Sequence, residues 1–325
     1  YIEQLGGSKE TEKAVRLALD WFTRNQEEDG HWNHKAGHDV AATGMAMLAY
    51  MGWGAKHTEP GPYQKPLDKA VKWMLKVERN GDLRGSRRNP FMYDHGIAAI
   101  AMAEAYSLTK DPKLRPLVKR VIDFTVSAQN PKTGGWRYMP YGENGYRDGG
   151  DMSVTGWQIM ALKSAQLGGI DVPPRSLDKA LQFTKSLYHP KSAYGYTDKK
   201  SKSPAMVAEG MFCQQLLRQH AIDNGLESFK EIDKRLNTAA KNLVGNLPNR
   251  RDNYYYWYYG SLAMHQNQGE PWEKWNEKLR PILLDWQNTR NPKDINKYGS
   301  WDPIGQWGPK SGRCVVTAMA TLSLE

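Results

Sequence analysis

Carboxylates and histidines stand directly before several apolar segments of the chain, where the first turn of a helix is expected. His38-Asp39 precedes one segment, Asp94-His95 begins the next, and Asp148 and Asp151 precede a third. A helix N-terminus offers unpaired N–H groups and a positive dipole end, so polar side chains there can hold anions or exchange protons. The catalytic candidates are Asp151, Asp148, His38, Asp39, Asp94 and His95.

Two chemistries fit the histidine-bearing pairs. His38-Asp39 and Asp94-His95 fall at similar places in neighbouring repeats, so two imidazoles and two carboxylates are expected to converge. Such a group suits acid–base catalysis or a metal site. The alternative is structural, because Asp39, Asp94 and Asp151 each stand where an N-cap would accept backbone N–H groups.

A second set of residues combines aromatic rings with arginines in the loops and helix starts of these repeats. Aromatic faces stack on sugar rings, and the guanidinium of arginine pairs with carboxylate or sulfate groups. The pattern indicates binding of an anionic glycan; packing of the rings in a wall and solvation of the arginines are the alternatives. The predicted binding residues are Arg87, Arg137, Tyr138, Tyr146, Arg147, Tyr254, Trp257 and Trp307.

Six pairs of predicted helices position these residues, each pair an amphipathic helix followed by an apolar one. In the first pair, residues 11–26 are apolar on one face and residues 40–50 (VAATGMAMLAY) are apolar all round. An amphipathic helix covers a core and meets water, whereas a helix that is apolar on all sides is buried. The repeats are expected at about 11–52, 67–108, 114–168, 177–220, 236–268 and 275–324.

A small residue recurs near the start of each apolar helix and sets the register of the repeats. These residues are Gly44, Gly96, Gly156, Gly210, Gly260 and Ala318. Small residues let backbones approach closely, as a tight inner ring requires. The sequence therefore predicts an all-α fold, an α/α toroid with inner and outer rings of six helices, as one domain over residues 1–325. An open solenoid uses the same units, but six repeats without polar capping units favour closure.

Three of the turns between paired helices share a glutamine, a glycine and a tryptophan. They run from Gln26 to Trp32, from Gln129 to Trp136 and, with a longer insertion, from Gln287 to Trp301. These turns resemble the QW repeat of squalene–hopene cyclases and of the wider terpenoid cyclase and protein prenyltransferase group. The resemblance implies a toroid in which the Gln caps the outer helix and the Trp stacks over the next helix end.

The resemblance also implies a function. Squalene–hopene cyclases protonate an alkene with the central acid of an Asp-x-Asp-Asp motif, and the nearest match here is Asp148-Gly-Gly-Asp151. Asp151 would then be the acid, and Trp and Tyr faces would stabilise a carbocation. The leading interpretation is a terpenoid-cyclase-like protein acting on an isoprenoid in the central cavity. The alternatives are a polysaccharide lyase acting on an anionic glycan and a non-catalytic toroid that binds a ligand or partner.

Composition limits the remaining classes. The chain has 325 residues, a formal net charge of +10 and two cysteines, Cys213 and Cys314. The charge favours anionic ligands, but no run of Lys and Arg indicates a nucleic-acid partner. Two cysteines exclude a disulfide framework, and no apolar run is long enough to span a membrane. We predict a small-molecule or glycan ligand without cofactor or metal, and the start at Tyr1 favours export to the periplasm or the outside over the cytoplasm.

Overall fold

The computed structural model describes residues 7–85, 91–251 and 253–325, and this part of the chain contains twelve α-helices. The outer helices are α1 (Lys9–Arg24), α3 (Gln64–Val77), α5 (Arg115–Ser127), α7 (Pro174–Ser186), α9 (Phe229–Val244) and α11 (Gly269–Trp286). The inner helices are α2 (Asp39–Gly52), α4 (Met92–Thr109), α6 (Met152–Gly168), α8 (Pro204–Asp223), α10 (Tyr254–Asn267) and α12 (Gly308–Leu322). A 3₁₀ turn (Glu143–Gly145) and two short antiparallel strands, β1 (Tyr188–His189) and β2 (Ala193–Tyr194), lie in the loops.

The two rings close, which confirms the predicted α/α toroid. Each inner helix packs against the next in chain order, and α12 returns to pack against α2, while α1 contacts α11 and α12. The predicted burial also holds: α2 buries twelve consecutive residues, Val40 to Met51, whereas α1 buries one face that includes Ala18 and Phe22. Closure leaves no terminal repeat with an exposed apolar face, so polar capping units are not needed.

The small residues of the inner helices lie at their closest contacts. A Cβ added to Gly44 would be 3.0 Å from Ile97, and one added to Gly96 would be 2.5 Å from Gln158. A Cβ on Gly156 would be only 2.3 Å from Oε1 of Glu209, on the neighbouring helix α8. These glycines therefore set the spacing of the inner ring.

The three Gln…Gly-x-Trp turns make the same hydrogen bonds and join neighbouring repeats. Gln129 Nε2 donates to the carbonyl oxygens of Gly134 (2.8 Å) and Ser176 (3.0 Å), and Ser176 lies in the first turn of the next outer helix. Trp136 Nε1 donates to the carbonyl of Thr125 at 2.7 Å. The equivalent amide bonds run from Gln26 to Gly30 and Pro66, and from Gln287 to Gly299 and Ala14. The last of these ties α11 to α1, so the turn that suggested a function closes the outer ring.

Candidate active site at the mouth of the ring

The six inner helices all begin at the same end of the ring, because each follows an antiparallel outer helix. We call this end the mouth; it comprises the first turns of α2, α4, α6, α8, α10 and α12 and the described parts of the loops that lead into them. Most of the polar side chains predicted from the sequence lie here. The structure arranges them in three groups, around His38, Arg137 and Glu209.

The first group is a histidine held by a buried carboxylate. His38 Nδ1 lies 2.8 Å from Asp94 Oδ2 and 3.1 Å from Oδ1, and Asp94 is fully buried while the His38 side chain is 24% exposed. The ring of His38 stacks on Phe91 at a centroid distance of 6.0 Å. Because a carboxylate can only accept, Nδ1 carries the proton, and Nε2 is then the acceptor nitrogen of the ring.

His34 packs beside this pair. Its ring meets that of His38 edge-on at 5.1 Å, and its Nε2 lies 2.9 Å from the carbonyl oxygen of Ser311 in α12. Burial lowers the pKa of His34, and the nearby His38 lowers it further. His34 is therefore neutral, with Nε2–H donating to Ser311. It joins the first repeat to the last and holds one side of the His38 ring.

The second group surrounds the guanidinium of Arg137. Nη1 donates to Asp151 Oδ2 and to the hydroxyl of Tyr196, each at 2.7 Å, and Nε lies 3.3 Å from Asp148. The guanidinium carbon sits 4.2 Å from the ring centre of Tyr138, whose hydroxyl is 2.7 Å from that of Tyr196. Arg137 is 17% exposed, so this group forms a polar floor that remains open to the mouth.

Asp151 is the N-cap of α6, as the structural alternative predicted. Its side chain accepts from the backbone N–H of Val154 at 2.8 Å, and it is fully buried. Burial raises the pKa of Asp151, while the bonds from Val154 and Arg137 oppose that shift. Val154 and Arg137 both donate hydrogen bonds to this carboxyl group. Asp151 therefore acts as a hydrogen-bond acceptor within the protein and is not placed to donate a proton to a ligand.

The third group is a buried carboxyl linked to hydroxyls. The hydroxyl of Tyr255 donates to Glu209 Oε2 at 2.9 Å and also bonds Ser153 Oγ. Glu209 is fully buried, and its Oε1 has no hydrogen-bond partner in the described part of the chain. Burial raises the pKa of Glu209 well above its ordinary value, partly opposed by the Tyr255 bond. Burial therefore favours the neutral form of this carboxyl.

Aromatic rings connect the first two groups. The Phe91 ring lies 5.7 Å from that of Tyr138, and the Tyr93 ring lies 6.2 Å from that of Tyr138. Phe91, Tyr93, Tyr138, Tyr196 and Tyr255 are all partly exposed. The mouth therefore presents polar-tipped aromatic faces above buried carboxyls, a lining suited to a polar ligand with flat apolar faces, such as a sugar.

His95 does not belong to the mouth, which corrects its place among the catalytic candidates. It is fully buried in the wall, where Nδ1 accepts from the backbone N–H of Leu83 (3.2 Å) and Nε2 lies 2.8 Å from Thr125 Oγ1. The backbone N–H groups of Trp32, Trp136 and Trp301 bond threonines at the same register in the other turns, namely Thr43, Thr155 and Thr317. His95 replaces that threonine in repeat two.

The burial of His95 predicts that the free energy of unfolding depends on pH. Burial lowers the pKa of His95 from 6.5 to about 4, so the unfolded chain binds a proton that the folded chain does not. The folded state therefore loses stability as pH falls from 6.5 to about 4, by about 3 kcal/mol in total. In the variant His95→Thr that loss should disappear from the pH profile of urea unfolding. His265→Thr, at an exposed histidine, should leave the profile unchanged; an unaltered slope in His95→Thr would contradict the assignment.

Three other candidates have structural partners. Asp39 does not cap α2, since its carboxylate accepts from the backbone N–H of His34 at 2.6 Å. Tyr254 and Trp257 are buried behind the mouth, where both pack against Trp286 of α11, so they are wall residues. The first helical turn of α10 points Tyr255, and not its neighbours, towards Glu209.

The remaining candidates lie at the rim. Tyr146 and Arg147 belong to the loop before α6; burial raises the pKa of Tyr146 to about 12, and Arg147 lies over the ring of Tyr141 at 5.1 Å. Asp148 is exposed and bonds Arg137, while Trp307 is 43% exposed with the Lys310 amine over its ring. Arg87 lies outside the described residues.

Sequence reasoning missed His34, Tyr93, Ser153, Tyr196 and Tyr255 as individual residues, and it did not rank Glu209. One signal was present in the sequence. Glu209 directly precedes the small residue Gly210, and in repeats one, three and six the residue before the small residue is a threonine. No group of three or more His, Cys, Asp or Glu side chains in the described residues is arranged to hold a metal ion. None of the described helices is long and apolar enough to cross a bilayer.

Comparison with known proteins gives a family and a fold. The profile of the family described as "Domain of unknown function (DUF6288)" matches residues 11–228. No curated protein sequence matches the chain. Several solved structures do match over nearly their whole length, at identities that show the fold alone.

Three of these structures illustrate the likeness. The α-1,6-mannanase GH76A of Salegentibacter sp. HEL1_6, in an inactive variant bound to α-1,6-mannotetrose, covers 98% of this chain and 99% of its own at 12% identity and a TM-score of 0.64. The unsaturated glucuronyl hydrolase of Bacillus sp. GL1 covers 97% and 96% at 12% identity and a TM-score of 0.65. Cellobiose 2-epimerase of Bacillus thermoamylovorans B4167 covers 97% of both chains at 12% identity and a TM-score of 0.66. These neighbours act on sugars and are not terpenoid cyclases, so the toroid is supported and the expected kinship with squalene–hopene cyclases is not.

Proposed function

The chain belongs to the DUF6288 family, and we propose that it is an enzyme that transfers protons on a sugar bound at the mouth, with His38 as the acid–base group. The observation that carries this proposal is the pair formed by His38 and Asp94. A partly exposed imidazole, fixed by a fully buried carboxylate beside aromatic faces, is the arrangement that general acid–base catalysis needs. The polysaccharide alternative thus fits the site better than an isoprenoid substrate.

The acids of the site favour proton transfer over hydrolysis by a carboxyl pair. Glycosidases place two carboxyl groups on either side of the scissile bond. Among the described residues, Asp94, Asp151 and Glu209 are fully buried, and each is bonded to a protein donor. The less buried carboxylates are also bonded, Asp148 to Arg137 and Asp39 to the backbone N–H of His34. The partly exposed imidazole of His38 is therefore the group that we expect to meet a ligand. Epimerisation or β-elimination, in which a base removes a proton from carbon, suits such a site.

The rim favours an anionic sugar. Exposed cations occur in the loops that lead into α6 and α8 and in the first turn of α12, namely Arg147, Lys199, Lys200, Lys202 and Lys310. Together with the formal net charge of +10, they attract a carboxylated or sulfated chain and raise its rate of encounter. Asp151, the acid of the isoprenoid interpretation, is bound by Arg137 and Val154, which gives no support to proton-initiated cyclisation.

Incubation with sugars in D₂O tests the proposal. The protein should convert at least one of cellobiose, α-1,6-mannotetraose and a glucuronyl-terminated oligosaccharide. NMR should show that a carbon-bound proton of the product has been lost or replaced by deuterium. Glycosidic cleavage with every C–H bond retained would identify a hydrolase and contradict proton transfer. Binding seen by tryptophan fluorescence without any conversion would favour a non-catalytic toroid.

A further inference from the structure

Glu209 occupies the position that a threonine with a structural role holds in three other repeats. The residue directly before the small residue of α2, α6 and α12 is a threonine that accepts a backbone N–H from the preceding turn. In α8 that residue is Glu209, and no backbone N–H reaches its carboxyl in the described part of the chain. The carboxyl turns instead towards α6, where the absence of a side chain at Gly156 leaves room for Oε1.

The hydroxyl of Tyr255 connects this carboxyl to the mouth. Tyr255 lies in the first turn of α10 and is partly exposed, and its hydroxyl touches both Glu209 Oε2 and Ser153 Oγ. Ser153 in turn lies in the first turn of α6, two residues after Asp151. A hydroxyl at the mouth is thus backed by a fully buried acid, and an oxygen–oxygen distance of 2.9 Å allows the proton to move between Tyr255 and Glu209.

Glu209 differs in its surroundings from the other buried acids. Asp151 is paired with Arg137, and the buried Glu227 is paired with Arg235 and Lys185. Glu209 makes no ion pair in the described part of the chain, and one of its oxygens is unpartnered. A carboxyl group in such a place is costly to retain for packing alone, because an apolar residue would fill the same volume without an unsatisfied oxygen. Perturbed and unpaired buried acids of this kind mark functional sites.

The order of helices around the ring places this unit two helix positions away from His38. His38 precedes α2 and Tyr255 lies on α10, and α12 separates these helices in the inner ring. A sugar bound against Phe91 and Tyr138 would therefore meet the imidazole and the Tyr255 hydroxyl on different sides. Proton transfer that inverts a carbon centre needs two such groups.

We propose that Tyr255 and Glu209 form a second proton-transfer unit, which delivers a proton to the sugar from a different side of the mouth than His38. The proposal rests on the proposed function. In the step, His38 Nε2 takes the proton from a carbon next to a carbonyl or carboxylate group, and Tyr255 gives its hydroxyl proton to the other face. For this the Tyr255 hydroxyl turns from Oε2 to the sugar, and Oε2 of Glu209, then carrying the carboxyl proton, donates it to the Tyr255 oxygen. The imidazole ends protonated and Glu209 ionised, and exchange with water restores both.

The closing experiment compares variants in D₂O on whichever sugar of the panel the wild type converts. Glu209→Gln and Tyr255→Phe should each lower kcat by about 100-fold or more while KM stays within about threefold. Both variants should still exchange the substrate proton with deuterium through His38, so the rate of exchange should fall less than the rate of product formation. Tyr258→Phe, which removes another buried hydroxyl of α10, should keep wild-type kcat.

Infrared spectroscopy tests the protonation of Glu209 directly, which a role in packing alone would not require. At neutral pH the wild type should show the C=O stretch of a protonated carboxylic acid, and Glu209→Gln should lack it. Wild-type kcat in Glu209→Gln, or absence of that band from the wild type, would overturn the proton-transfer unit alone. Failure of the wild type to convert any sugar would overturn the proposed function and this unit with it.

Discussion

Replacement of His38 by asparagine is expected to lower kcat by about 100- to 10,000-fold, the range that general acid–base catalysis contributes. The asparagine side chain can still donate to Asp94, so the buried carboxylate keeps a partner and the fold is preserved. It cannot accept and release a proton at neutral pH. Steady-state kcat and KM on the sugar converted by the wild type measure the effect, and KM should change little because the aromatic faces remain.

Two further variants separate chemistry from packing. Asp94→Asn should also lower kcat, because an amide can donate to Nδ1 and shift the imidazole proton to Nε2, the wrong tautomer for a base. His31→Asn is the matched control: His31 also pairs with an aspartate, Asp29, but its ring stacks on Trp73 of the outer ring. It should keep wild-type kcat. Full activity in His38→Asn would remove His38 from the mechanism.

The architecture could be predicted because it depends on patterns that repeat along the chain. Apolar periodicity separates inner from outer helices, and the small residue of each inner helix fixes the register. Helix ends were harder to predict. Helix α9 begins at Phe229, before the predicted start of its repeat, because Ser228 and Glu231 form a capping box. Local side-chain bonds of this kind decide where a helix starts, and periodicity does not report them.

The sequence allowed only part of the site to be predicted. Adjacent residues on a helix point about 100° apart, so in Asp94-His95 one side chain reaches the mouth and the other the outer ring. The same rotation separates Tyr255 from Tyr254. Which of two neighbours faces inwards depends on the rotation of each helix in the ring, and that rotation is set by packing between repeats. The pair of His38 and Asp94 joins residues 56 positions apart. The repeat register indicated that the two segments converge, but not that Asp94 pairs with His38 while Asp39 and His95 bond elsewhere.

The turns that suggested a terpenoid cyclase are explained by packing alone. Gln26, Gln129 and Gln287 each satisfy two backbone carbonyls at the junction of two repeats. Any closed ring of helix pairs has to join its repeats in some such way, whatever the chemistry at its mouth. A motif of this kind therefore indicates a fold and carries no information on the substrate.

Replacement of Arg137 by methionine is expected to lower the free energy of unfolding by about 3 kcal/mol at neutral pH, since breaking a buried ion pair leaves an uncompensated charge. Asp151 is fully buried and would lose its cation, and Tyr196 would lose a hydrogen bond. The deficit should shrink as pH falls, because the folded variant then takes up a proton on Asp151 that the unfolded chain, with its lower pKa, does not hold. Urea unfolding at several pH values measures both effects.

The double variant Arg137→Met with Asp151→Asn decides whether charge or packing is responsible. An amide at position 151 can still accept from the N–H of Val154 and carries no charge, so the double variant should recover most of the stability lost in Arg137→Met. Arg147→Met, which removes an exposed arginine from the same loop, should change stability by less than about 0.5 kcal/mol. If the double variant were as unstable as Arg137→Met, the loss would come from the stack on Tyr138 and not from the buried carboxylate. Arg137 would then serve the aromatic floor of the mouth, and its removal should weaken sugar binding at every pH.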